Sequence, residues 1–144
     1  MSAVTVLIAA FLGGAIALRR ERKMHRAALV ADAFEFLFSA VMHCRTVQES
    51  VLNAQRGFGP PVYTQVEYAT AFESVSFARG KLAAVAKPAV VKRLTHMNRE
   101  GGPRFDASNP EARRELSAIT LLLRSDLGVE DGATVEEIES LLFG

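Results

Sequence analysis

Cysteine is almost missing from this chain: Cys44 is the only one among 144 residues. That excludes an internal disulfide framework and a thiolate metal cluster, and it suits a reducing compartment. Tryptophan is absent and tyrosine occurs twice, while alanine, leucine, valine and glutamate are plentiful, a balance that favours helices over strands. All five prolines lie at or beyond Pro60, and neither glycine nor proline occurs between Gly14 and Gly57. Nothing in that interval breaks a helix. Charge is missing from residues 2–18, and no lysine or arginine precedes Arg19.

Signatures of chemistry are missing as well. His43 stands beside Cys44, but adjacent positions on a helix point about 100° apart and do not share a ligand. Glu35, Ser39 and His43 fall on one face at four-residue spacing, which orients an imidazole without supplying a second ligand. The cluster Gly57-Phe58-Gly59 ends a helix instead of opening one after a strand, so it is no phosphate cradle. No serine sits in a nucleophile elbow, and no acidic pair has metal or glycosidic spacing. Accordingly no catalytic residue, cofactor or metal site is expected. An enzyme would need a site assembled from scattered groups such as Glu35, His43 and Glu67. Nucleic acid is not an expected partner, because the net charge is +1 and no aromatic residues interleave with the basic ones.

What the chain does have is an apolar run, Ser2 to Leu18, followed at once by Arg19, Arg20, Arg22, Lys23 and Arg26. As a helix the run spans roughly 25 Å at about 1.5 Å per residue, short for a hydrocarbon core of about 30 Å but within reach of snorkelling arginines. It is expected to be a transmembrane anchor (residues 1–18) with a basic collar (19–26). A secretory leader and a buried core helix stay open as alternatives. Ala15 and Ala17 would suit a leader's cleavage site, but the basic segment that should precede its apolar run is missing. The collar's charge puts everything after Leu18 in the cytoplasm and the amino terminus outside. Ala9, Gly13 and Ala17 repeat at four-residue spacing, with Ala10 and Gly14 beside them, and this smooth face lets helix backbones approach closely in lipid. The expected partners are membrane lipid and either a second copy or another membrane protein, met through this helix.

Residues 27–144 are expected to form one small helical domain. The apolar spacing from Ala27 to Leu52 continues the anchor, either as one helix of more than fifty residues or with a kink at the collar. Gly57 to Pro61 stops it. Thr64 with Glu67 forms a capping box opening a second helix, whose buried face reads Val66, Ala69, Phe72, Val75, Leu82, Val85 and Ala86. Pro88 starts a third, Asn109-Pro110 a fourth, and Thr134 with Glu137 a short fifth. Phe105 is the one large apolar group in the loop between the third and the fourth. The fold class is therefore all-α: a single amino-terminal transmembrane helix continuing into a cytoplasmic bundle of about five helices, with no sheet.

Charge is unevenly spread along the body. The stretch from Arg79 to Arg104 holds seven basic residues against Glu100 alone, and from Asp126 onward there are six acidic residues and no basic one. On the third helix Lys92, His96 and Arg99 lie opposite the apolar positions Val90, Leu94 and Met97. With the collar they are expected to face anionic lipid, leaving the acidic tail pointing away. The function expected from these features is non-enzymatic: an inner-membrane, single-pass scaffold, adaptor or accessory subunit of a membrane assembly. The alternative is an oligomerising membrane-active effector of the holin or toxin kind.

Overall fold

A computed structural model of the chain describes the backbone of residues 3–101, 105–106 and 108–144, and the side chains of these residues except 3–9, 11 and 101. Five helices account for most of it: α1 (Ala3–Gln55), α2 (Gln65–Val85), α3 (Pro88–Gly101), α4 (Pro110–Asp126) and α5 (Val135–Phe143). Among the described residues there is no strand. The expected turn at Gly102 and Pro103 lies outside the described residues.

Local chemistry sets the helix limits. α1 runs unbroken for 53 residues, so anchor, collar and the first body segment belong to one helix. It ends where Gly57 and Gly59 take positive φ values of 83° and 114°, a region that costs glycine nothing. The Val62 N–H then donates to Ser50 Oγ at 3.1 Å and folds the loop back on α1. Thr64 and Glu67 form the expected capping box, as do Thr134 and Glu137. Asn109 caps α4 in front of Pro110. The hydrogen bonds from Thr64 hold the Glu67 carboxyl below its usual range. A lowered folded-state value means that this cap stabilises above the ordinary carboxylate range and is lost as the pH falls through the folded value.

Packing joins two hairpins. α2 returns along α1, α4 returns along α3, α5 folds onto α4, and α2 and α3 touch more lightly. One core runs through all five helices, including Leu37, Val41 and Cys44 of α1, Val75 and Leu82 of α2, Met97 of α3, Leu116 and Ile119 of α4 and Phe143 of α5. Each large side chain buried in this way contributes about 1.5–3 kcal/mol. On α2 the buried face is Ala71, Phe72, Val75, Ala78, Arg79 and Leu82. The expected Val66 and Ala69 are exposed instead. Both belong to the first turns of α2, which lie beside the carboxyl-terminal end of α1 around an open groove.

The loop after α3 is a fastening. Phe105 is fully buried, and its carbonyl oxygen accepts from Gln48 Nε2 at 2.9 Å and from the Cys44 thiol at 3.7 Å. One residue thus ties the α3–α4 hairpin to α1 by both core packing and backbone.

Between Leu12 and Arg26 every residue except Ala15 is exposed, and Val30 is the first buried position among the described side chains of α1. α1 is long and apolar enough to cross a membrane, with an 18-residue window of mean hydropathy 1.5 that is 33% buried. That criterion also selects core helices and leaders, and beyond Val30 α1 is a core helix.

Truncating the fastening gives a direct test. Phe105→Ala is expected to cost about 3–5 kcal/mol, the range for losing a buried aromatic ring. Urea unfolding of the full-length protein measures it, and a cost under about 1 kcal/mol contradicts the role given to Phe105.

Candidate functional site

Three surfaces carry the charge and the uncovered apolar area: the collar, the outer face of α3, and the end of the bundle far from the collar. Helix pairing gives their heights. The rings of Phe36 and Phe77 meet edge to face at 6.0 Å, and Val62 bonds to Ser50, so α2 is antiparallel to α1. Arg79 Nη1 donates to Asn98 Oδ1 at 2.6 Å, which makes Asn98 level with Arg79 and hence with Phe34 on α1. At about 1.5 Å per residue, Lys92 then stands about 15 Å beyond the level of Leu18, and Arg99 about 25 Å beyond it.

The basic stripe on α3 is partly spent inside the protein. Glu115 of α4 is 5% exposed; its Oε1 receives Arg93 Nη1 at 3.1 Å and lies 3.1 Å from His96 Nδ1. Lys87 Nζ pairs with Asp126 at 2.6 Å. These contacts stitch α3 to α4 although Lys87, Arg93 and His96 stay about half exposed, and Lys92 and Arg99 are exposed as well. Arg104, the last basic residue of this stretch, lies outside the described residues.

Glu115 occupies a place in the α4 stripe between Ala112 and Ile119, where its carboxylate is buried. Arg79 likewise falls between Val75 and Leu82 on the buried face of α2, and at 9% exposure it belongs there. The signal in both cases is a charge at an apolar period. Desolvation works against the charged form of Arg79 and moves its pKa down from the ordinary arginine value.

The acidic tail does not point away as a whole. Asp126 meets Lys87, and Asp131 meets Arg124, at the end where α1 enters the bundle. α5 then runs back along α4, placing Glu136 3.6 Å from Arg114 and Glu139 3.7 Å from Arg113. Most of the tail's charge is matched locally, each exposed pair contributing about 0–1 kcal/mol.

The small-residue face sits differently. Successive α1 positions turn by about 100°, and the buried residues Val30, Ala33, Leu37, Val41 and Cys44 mark the bundle side. Gly13 and Ala17, with Ala10 and Gly14, project to the other side. Glu21, Met24, Ala28, Ala31 and Glu35 continue that uncovered face into the body, all exposed. The side chain of Ala9 lies outside the described residues.

At the far end an open groove of about 780 Å³ is lined by Val51, Ala54, Pro61, Tyr63, Tyr68 and Phe72. It adjoins a more polar one of about 480 Å³ that includes Arg45, Glu49, Asp106 and Arg113. His43 faces Tyr63 at a ring distance of 6.0 Å. Among the described residues no three His, Cys, Asp or Glu side chains converge as metal ligands. Comparison with protein-family models, curated proteins and solved structures gives no match to this chain.

Two of these sites make measurable predictions. Glu115→Gln is expected to cost about 1–3 kcal/mol in urea unfolding, because a charge-assisted contact in a buried setting is lost. No change would remove its role as the α3–α4 clasp. Burial, and secondarily the charge of Asp106, push the Cys44 thiol up to about 11. At pH 8 only about 0.1% of it is thiolate, so native protein is expected to resist alkylation that goes to completion in denaturant. The stability tied to this neutral thiol is complete below about pH 9 and falls as the pH climbs toward 11.

Proposed function

We propose that this chain is a non-enzymatic, single-pass inner-membrane protein whose cytoplasmic helical domain serves as a scaffold, adaptor or accessory subunit of a membrane assembly. The observation that carries this reading is the uncovered first part of α1: exposed apolar residues, Leu12 at 55%, Ile16 at 65% and Leu18 at 52%, on a helix continuous with the core. Leaving such a surface in water forgoes roughly 25 cal/mol per Å² of apolar area, and lipid or a partner helix removes that penalty. The basic collar favours the orientation with the body in the cytoplasm.

The collar is the main lipid-facing surface in this reading. Lys92 stands about one Debye length beyond the headgroups and Arg99 about two, at roughly 8 Å per Debye length in physiological salt. His96 spends Nδ1 on Glu115. The stripe's contribution to membrane attachment is therefore graded: modest at Lys92 and close to nothing at Arg99. Gly13, Ala17 and the face they begin give the anchor a side for a second copy or another membrane helix, turned away from its own bundle.

Fractionation separates these roles. Deleting residues 1–23 is expected to move the folded body wholly to the soluble fraction. Reversing Arg19, Arg20 and Arg22 to glutamate in the full chain is expected to weaken or invert insertion, and Arg99→Glu to leave it unchanged. A deleted body that stays on the membrane, or a full-length chain that is found in the soluble fraction, overturns the proposal.

A further inference from the structure

The outer side of the α1–α2 pair carries an aromatic patch that takes no part in the core. Phe77 is 69% exposed and Phe36 39%, although their rings meet edge to face at 6.0 Å. Leu29, also exposed, extends the apolar area two helix turns toward the collar on the same side of α1. Large aromatic side chains are the usual anchors of a protein interface, because they bring much apolar area at little cost in conformational freedom. Phe36 follows Glu35 and so lies about 100° around α1 from the small-residue face. The two uncovered surfaces are separate.

Opposite charges stand beside the rings. Lys81 comes one turn after Phe77 on α2 and Asp32 one turn before Phe36 on α1, and both are exposed. Because the two helices are antiparallel, these residues lie at one height, about 6 Å nearer the collar than the ring pair. The Lys81 ammonium rests 5.0 Å from the centre of the Phe36 ring, a cation–π contact that leaves its other sides open. Among the described residues neither Lys81 nor Asp32 has an ion-pair partner. A surface with opposite charges at one height, one on each helix, is complementary to itself under two-fold rotation.

We propose that this patch is the contact between two copies of the chain standing side by side in one membrane, with Phe36 and Phe77 of each against those of the other and Lys81 of each paired with Asp32 of the other. The contact rests on the anchored reading. Anchors in one bilayer hold both chains at equal height and in one orientation, the geometry that brings Lys81 to Asp32 twice. The three partly exposed apolar side chains amount to about 300 Å², below the roughly 800 Å² per partner of an interface that is stable in solution. Confinement to a membrane offsets the difference by raising the effective concentration of one copy at the other. The small-residue face stays free for another membrane helix.

The test reconstitutes full-length chains, labelled at the carboxyl terminus with a donor or an acceptor fluorophore, together in phosphatidylcholine vesicles and compares energy transfer with that of random mixing at the same density. Expected is transfer above the random level for the wild type. Lys81→Glu and Asp32→Lys, both at exposed positions, each set like charges against one another twice and are expected to bring transfer down to the random level. Phe77→Ala is expected to remove most of the excess. Donor-labelled Lys81→Glu mixed with acceptor-labelled Asp32→Lys is expected to restore it, which only pairing between chains can do. Single variants that transfer as well as the wild type, or a mixture no better than either variant alone, overturn the proposal. Flotation distinguishes this failure from that of the anchor: a chain that does not float with the vesicles removes the membrane reading and this contact with it, whereas one that floats with transfer at the random level removes this contact alone.

Discussion

An uninterrupted hydrogen-bond ladder from Ala3 to Gln55 is the constraint on which everything else depends. Its amino-terminal part is apolar on all sides and its later part is apolar on one, so one element changes its surroundings without changing its geometry. The change comes at the collar, where Arg19 to Arg26 mark the boundary with charge. Because no glycine or proline lies between Gly14 and Gly57, the ladder offers no hinge there. The remaining helices take their places from this one: α2 pairs with it directly, and the α3–α4 hairpin is fastened to it through Phe105.

The local signals in the sequence were accurate because their physics is local. The capping boxes at Thr64 and Thr134, the Asn109-Pro110 start and the stop at Gly57 to Pro61 involve groups within a few residues of each other, and each lies where its chemistry requires. The buried face of α2 was harder to read. Spacing identifies a stripe, but whether Val66 is covered depends on where neighbouring helices end, and that is tertiary information.

Charge hides burial in this sequence: Glu115 and Arg79 occupy apolar positions in their helices, and both are buried. His96 was grouped with Lys92 and Arg99 by its place on α3, but its imidazole turns to a carboxylate on α4 that is nineteen residues further along the chain. The acidic tail looked like a single surface because its residues are contiguous. In three dimensions it doubles back, and its carboxylates meet lysine and arginine at both ends of α4. Periodicity alone assigns a charge to a face, while its energetic role depends on which helix is opposite.

The stiffness of α1 has a mechanical consequence. From Leu18 to Gln55 the helix is about 55 Å long at about 1.5 Å per residue, and the bundle is built around it without a joint. On the proposed anchoring, an ordinary tilt of about 20° in the bilayer carries the apolar groove at Tyr63 and Phe72 sideways by roughly 19 Å. The body is therefore a pointer as well as a platform: small rotations among helices packed inside the bilayer would be magnified into large displacements of its far end.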